Sequence, residues 1–303
     1  MKSLEERMRE FAEYHKNGDG ECNNVVLKAW AAKHRLSLQE RYELAYYFAI
    51  TYCVESAIVL FREQADIFPD IKLWVERKKD SIVFQSDRKY VRMRDSFEKC
   101  LEQFKSIRSV EGFLGRVSDG TTIILAKAIP YVENWVMFGR FSAFLFLETF
   151  VNLTGIPIEN TTISWKQGNT ATSGLLNLYG LDDAANEFDK HKRLRVSTKL
   201  MDDMLRRTLV YIGKTGGSTN VTEVETSLCA YRKFYKGSRY NGFYLDRMLE
   251  EINKMSRQYP EISKELIEIR KAHFDEKYLG EIGGWAHVRG WLKKVYRETG
   301  LVT

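Results

Sequence analysis

The stretch VETSLCAYRKFYKGSRYNGFYLDR, from Val224 to Arg247, puts a carboxylate and a thiol one helical turn apart and follows them with a basic, aromatic run. On a helical wheel Val224, Leu228, Tyr231 and Tyr235 form one stripe, which predicts a core-facing side. Glu225, Cys229, Arg232 and Lys236 fall on the adjoining stripe, at the edge of buried surface. Such a set has chemistry available to it. A carboxylate can take a proton, a thiolate can add to an electrophile, and cations can hold a phosphate. The plain alternative is a capping glutamate, a core-filling cysteine and solvated cations, and by these residues alone it is favoured. Past the stripe, Arg239, Tyr240, Tyr244 and Arg247 surround a glycine-bearing turn. Interleaved basic and aromatic residues suit phosphate contact with base stacking, and they equally suit surface packing.

A second carboxylate draws notice in FGRFSAFLFLETF. From Phe141 to Phe150 the segment is apolar around most of its circumference, so the helix is expected to be buried with Glu148 inside it. A buried carboxylate needs a partner or a raised pKa. An ion pair with Arg140 or another cation and a catalytic role weigh about equally. Gly139-Arg140 offers backbone N–H groups at a helix start, a seat for an anion. This glycine-turn-helix looks like the second half of a helix-hairpin-helix, with Pro130 marking the first. LYGLDDAA, Leu178 to Ala185, imitates the motif but has Asp182 where a second glycine is expected.

Other motifs are weaker. GKTGGS, Gly213 to Ser218, lacks the glycine of a phosphate loop; Thr208 stands five residues upstream, and the flexible-loop reading prevails. His15, His34, His191, His273 and His287 form neither HxxxH nor HExxH, which argues against a histidine metal site. HKRLR, His191 to Arg195, is a charge run whose default is a solvated face, with DNA-phosphate contact the minority reading. Cys22, Cys53, Cys100 and Cys229 are scattered, without zinc spacing, as expected of reduced intracellular thiols.

These residues need helices to position them, and the periodicity is helical nearly throughout. Ser3 with Glu6, Ser37 with Glu40 and Thr222 with Glu225 read as capping boxes. LQERYELAYYFAITYCVESAIVLFRE reads as one long buried helix, and SDGTTIILAKAI as a short one stopped at Pro130. IPIENTTISWKQGNTATSG reads as a polar loop of unusual length. Asp182 reads as a cap, Ser197 to Ile212 and Pro260 to His273 as helices, and the tail as a basic, Trp-bearing helix. Strand signals are weak everywhere. The fold class expected is all-α, a multi-helix globular fold over residues 1–303, as a single domain or as two intimate lobes, 1–108 and 109–303.

Composition fits this. With 303 residues, 44% hydrophobic and 29% charged, the chain can bury a sizeable core. A net charge of +6 permits a nucleic-acid partner without demanding one. The N-terminus lacks the apolar run of a signal peptide, and Trp135 to Leu153 is interrupted by Arg140 and Glu148, so no membrane partner and a cytoplasmic location are expected.

ETSLCAYRKFYKGSRYNGFYLDR resembles a block of the bacteriophage amino acid:DNA transferases, also called alpha-glutamyl/putrescinyl thymine pyrophosphorylases. That pattern is roughly E-[ST]-x-L-C-x-[FY]-[KR], a basic segment, then Arg-Tyr and a Gly-Tyr-like turn. It falls here on Glu225, Thr226, Leu228, Cys229, Tyr231, Arg232, Arg239-Tyr240 and Tyr244. FGRFSAFLFLETF is similar to the family's Gly-[RP]-[FW]-x-[AS]-aromatic…Glu helix. FQSDRKYVR and YLGEIGGW are similar in kind, and the blocks span about Phe84 to Trp285.

The resemblance implies an all-helical enzyme related to helix-hairpin-helix DNA glycosylases. It would act on double-stranded DNA whose 5-hydroxymethyluracil carries a pyrophosphate, replacing that group with an amine from an amino acid or polyamine. Glu225 or Glu148 would be the base and Cys229 an assisting nucleophile or a packing residue. Arg140, Arg232, Lys233, Arg239, Tyr240, Tyr244, Arg88 and Lys89 would bind diphosphate or DNA, and Trp165 would stack on a base. No cofactor is expected; the metal requirement and oligomeric state are left open. The rivals are a glycosylase-like base-processing enzyme using Asp182 or Asp183, and a non-enzymatic DNA-binding helper protein.

Overall fold

The structure is a computed structural model that describes residues 2–84, 96–159, 163, 165, 170–237 and 239–279. Over these residues we number α1 (Leu4–Lys16), α2 (Cys22–Lys33), α3 (Leu38–Thr51), α4 (Val54–Arg62), α5 (Gln64–Ile67), α6 (Ile71–Lys78), α7 (Phe97–Ile107) and α8 (Val110–Val117). A strand β1 (Ile123–Ile124) precedes α9 (Leu125–Glu133) and α10 (Arg140–Thr154); β2 (Ile158–Glu159) follows. Then come α11 (Thr170–Leu178), α12 (Asp182–His191), α13 (Thr198–Lys214), α14 (Val221–Tyr235), α15 (Phe243–Met255) and α16 (Pro260–His273). The fold class is all-α, as the periodicity predicts. The one sheet among the described residues is the short parallel pairing of Ile123 with Ile158 and Ile124 with Glu159. No described helix is long and apolar enough to cross a membrane.

The chain forms two compact units. One comprises residues 1–22, 160–246 and 274–303, the other residues 23–159 and 247–273. In the first, α1 and α11 to α14 enclose a core that includes Phe11, Leu175, Phe188, Met201, Leu205, Val224, Leu228 and Tyr231. Gly174 permits the closest approach within it: a Cβ there would lie 2.2 Å from the Leu228 carbonyl oxygen, so α11 and α14 touch backbone to backbone. Phe11 meets Tyr231 edge-on at 5.1 Å, and Tyr14 stacks on Phe234 at 5.4 Å, which binds α1 to α14.

In the second unit, α3 is buried along most of its length and packs on α10. Tyr42, Tyr46, Phe104, Phe113, Trp135, Phe146 and Phe150 form a continuous aromatic cluster. Each buried phenol keeps a partner: the Tyr42 hydroxyl donates to the Ile107 carbonyl at 2.6 Å, and that of Tyr46 to the Cys100 carbonyl at 2.8 Å.

Local signals set many boundaries. Ser3/Glu6 and Ser37/Glu40 form the expected capping boxes. Gly155 ends α10 in the left-handed region at φ 74°. Four expectations need correction. The long helix over 38–63 is two helices, because Tyr52 turns left-handed at φ 51° and Cys53 is extended. Pro130 does not stop its helix; it lies exposed inside α9, where one intrahelical bond is forfeited and the turns continue to Glu133. α14 is capped by Asn220, whose side chain accepts from the Thr222 N–H at 3.0 Å, in place of a Thr222/Glu225 box. Asp182 is the first residue of α12 rather than its cap. The helix α8 has no counterpart in the sequence reading, and α11 begins at Thr170, inside the expected polar loop. The expected tail helix lies outside the described residues.

Candidate functional site

Helix α14 carries the two stripes where the wheel puts them. Val224, Leu228 and Tyr231 are fully buried. Glu225, Cys229, Arg232 and Lys236 are half-buried beside them. The start of α14 is fixed by His15 of α1. Its Nε2 lies 2.9 Å from the Ser218 carbonyl and its Nδ1 2.7 Å from the Ser227 hydroxyl. A carbonyl only accepts, so the proton sits on Nε2 and Nδ1 accepts from Ser227. Burial holds the His15 pKa below the usual range, in keeping with that neutral form.

The cations of the stripe converge on a residue that sequence reasoning missed. Asp189 of α12 accepts from Arg232 Nε at 3.0 Å and also from its Nη2. Lys236 Nζ reaches the same Asp189 oxygen at 2.9 Å and the Asn186 side-chain carbonyl at 2.9 Å. Ser173 of α11 donates to the other Asp189 oxygen. Burial raises the Asp189 pKa, but the hydrogen bonds from Arg232, Ser173 and Lys236 outweigh it and leave the carboxyl below its ordinary value. Arg232 and Asp189 each keep 18% side-chain exposure, so the pair is reachable from solvent. Lys233 is half-buried on the next position round the helix. Asp189 lies 43 residues from Arg232, with no local pattern linking them; its place as a lone acid just before a basic run is the one sequence cue.

The turn after α14 packs on itself. The Arg239 guanidinium lies 4.4 Å from the Phe243 ring centre and 4.8 Å from that of Tyr244. Tyr240 is 4% exposed, and its hydroxyl donates to Asp246 at 2.6 Å. Asp19, fully buried, accepts from the backbone N–H groups of Tyr244 at 3.0 Å and Leu245 at 3.1 Å. It thereby acts as a long-range cap for α15, a role no spacing in the sequence announces. Trp165 is 3% exposed in the core of the same unit, with its indole N–H on Asp202 at 2.7 Å.

The remaining candidates are not members of the α14 stripe. Glu148 is 3% exposed in the second unit, on α10, as its apolar surroundings predict. Arg140 is exposed at the first position of that helix; eight residues of rise put the two about 12 Å apart, and no ion pair joins them among the described residues. Arg88 and Lys89 lie outside the described residues. Both oxygens of Asp182 are occupied, one by Asn177 at 2.7 Å and the other by the Tyr235 hydroxyl at 3.1 Å.

Of the sequence-predicted candidates, Glu225, Cys229, Arg232 and Lys233 on α14, Arg239 and Tyr240 in the turn behind it and Tyr244 in the first turn of α15 fall in one unit. A family model described as amino acid:DNA transferase matches residues 15–240. A protein named serinyltransferase, from Salmonella phage ViI, is 30% identical over 191 residues, which make up 55% of this chain and 46% of that protein. The chain spans about half the length of that curated relative. No solved structure matches the chain, so the helix-hairpin-helix likeness rests on the α9–α10 pattern alone. The family match runs from His15 to Tyr240 and takes in α14, Asp189 and the whole stripe, and the chain belongs to the amino acid:DNA transferase family.

Proposed function

We propose that this protein is a DNA-modifying transferase that replaces the pyrophosphate of 5-pyrophosphoryloxymethyluracil in DNA with an amine. The observation that carries this reading is the family match across the stripe of Glu225, Cys229, Arg232 and Lys236 on one side of α14. The relative's name makes serine the first donor to test.

The chemistry asks for three things. The amine must be neutral to attack the exocyclic methylene, and an α-amine with a pKa near ~8 is mostly protonated at neutral pH. Glu225, half-buried one helical turn before Cys229, would take that proton. As the new C–N bond forms, the C–O bond to pyrophosphate breaks and its electrons leave with the oxygen. Arg232, Lys233 and Lys236 are the cations that would meet that charge. The third demand is access to a base in duplex DNA, where extrusion from the stack is the general solution. Arg239, whose guanidinium lies over the Tyr244 ring, would offer a nucleotide a charged and aromatic contact. Cys229 serves either as a nucleophile adding to the uracil ring or as packing.

The test is direct. The protein is incubated with DNA bearing 5-pyrophosphoryloxymethyluracil and a panel of amines, the DNA is digested to nucleosides, and the products are weighed. An amine-bearing thymidine derivative with release of pyrophosphate is the expected result. Abasic sites instead would favour the glycosylase reading, and unchanged DNA would remove the enzymatic one. Glu225→Gln is expected to lower transfer at least tenfold. Full activity of Cys229→Ser would leave Cys229 with packing alone.

A further inference from the structure

The end of α12 and the connection from it to α13 carry Lys190, His191, Lys192, Arg193 and Arg195, all exposed. Lys190 and His191 lie in the last turn of α12, where cations are expected against the helix dipole. That account ends with the helix. Lys192, Arg193 and Arg195 lie beyond it, and dipole interactions fade within the last turn.

Two observations set this stretch apart from an ordinary charge run. First, it is anchored. Leu194 and Val196 are half-buried against the core of the first unit, while Arg193 and Arg195 between and beside them are exposed, so apolar pins alternate with outward cations. Lys192 adopts a left-handed conformation at φ 55°, a position where glycine is the usual residue, and its N–H returns to the Phe188 carbonyl at 2.8 Å. Second, part of its charge is left without a carboxylate partner. Arg195 pairs with Glu187 at 2.7 Å, and the nearby carboxylate of Asp189 is held by Arg232 and Lys236. Lys190, Lys192 and Arg193 have no carboxylate partner among the described residues. Exposed cations without carboxylate partners, on a segment that apolar anchors hold to the core, suit a polyanion such as a phosphate backbone.

We propose that residues 190–195 form a docking strap for the phosphate backbone of duplex DNA. The inference rests on the reading of the protein as a DNA-acting enzyme, and it names the surface that holds the substrate polymer rather than the reacting base. Contacts of this type carry no sequence information, so they position the duplex for chemistry at whichever thymine derivative is reached.

The test is the salt dependence of binding to a labelled duplex, measured on the full chain. The variant Lys190→Gln/Lys192→Gln/Arg193→Gln removes three cations and keeps side-chain length. A control, Arg9→Gln/Lys16→Gln/Lys214→Gln, removes three exposed cations elsewhere in the same unit. Each phosphate contact contributes roughly 0.9 to the slope of log affinity against log salt, so the strap variant should lose about 2.7 from that slope, or about 40-fold in the affinity ratio between about 50 and 200 mM salt. The control should keep the wild-type slope. An unchanged slope in the strap variant overturns the proposal, as does an equal loss in the control, which would make the effect one of net charge. Loss on an RNA duplex with none on DNA would also overturn it. Wild-type protein that binds no DNA at low salt would fail the functional reading first. Normal binding and transfer with an indifferent strap variant would fail this inference alone.

Discussion

Glu55 gives the sharpest physical prediction. It is fully buried on α4 in the second unit. One of its oxygens contacts the Ser263 hydroxyl, and the other has no hydrogen-bond partner among the described residues. The same Ser263 hydroxyl lies 3.0 Å from the Tyr259 carbonyl one turn back along α16. A hydroxyl has one proton to give. If Ser263 donates it to the Tyr259 carbonyl, its contact with Glu55 is satisfied by a proton carried on the carboxyl. Burial independently pushes the Glu55 pKa up to about 7. The unfolded chain would hold that group near its ordinary value of 4.5. With a raised folded-state pKa, the native state binds the extra proton between those two values. Stability is therefore fully present below about 4.5, declines as pH rises, and levels off above about 7. At about 1.4 kcal/mol per unit, the loss is on the order of 3 kcal/mol. Glu55→Gln tests this, because a side-chain amide resembles the protonated acid and can donate to Ser263. Denaturant unfolding of both proteins at pH 5 and pH 8 gives the answer. The variant should match wild type at pH 5 within about 1 kcal/mol and exceed it by about 3 kcal/mol at pH 8. A wild-type-minus-variant difference that is the same at both pH values would refute the argument for a protonated Glu55.

Other substitutions probe the candidate site and its frame. Asp189→Ala releases Arg232, Lys236 and Ser173 together; with these groups partly exposed, a loss of about 1–3 kcal/mol is expected in denaturant unfolding. Because the Asp189 pKa is depressed, its contribution is present above the ordinary aspartate pKa and lost as pH falls through the folded value, so the cost of Asp189→Ala should shrink in acid. Gly174→Ala places a methyl group 2.2 Å from the Leu228 carbonyl oxygen, so α11 and α14 must separate; a cost above about 3 kcal/mol, or loss of soluble protein, is expected. Ser3→Ala removes the cap of α1 and should cost about 1 kcal/mol by thermal unfolding.

What the sequence disclosed depended on how far its signals reach. The Ser3 and Ser37 boxes act across one turn, and both stand where the spacing puts them. The apolar stripe of α14 was legible because a helix repeats its faces every few residues, and Val224, Leu228 and Tyr231 are all buried. The break at Tyr52 was hidden. No glycine or proline marks it; the Thr51 hydroxyl turns back to the Tyr47 carbonyl at 2.8 Å while the chain goes left-handed. Pro130 misled in the opposite sense: sixth of the nine residues of α9, it deletes one intrahelical bond without ending the helix. Within the site, the members carried by α14 were found and their partners were not. Asp189 and His15 reach α14 from other helices and Ser173 braces Asp189 from a third, and periodicity within one helix says nothing about them.

Asp189 changes what the cationic stripe can do. Arg and Lys side chains lose conformational freedom when they grip a ligand, and that loss opposes binding. Here part of it is met in the folded state, because Asp189 already holds Arg232 and Lys236 and is itself held by Ser173. A guanidinium has five N–H donors, and Asp189 engages the Nε and Nη2 side of Arg232, so further donors remain for an anion approaching from solvent. Two cations on one carboxylate leave a net positive charge. In the proposed reaction a leaving pyrophosphate would therefore meet donors that Asp189 already holds, with no need to displace it. Asp189→Asn separates this from a purely structural tie. Keeping the shape but weakening the hold should lower the rate of transfer at saturating DNA more than it lowers DNA affinity, whereas a structural tie would move neither once the protein is folded.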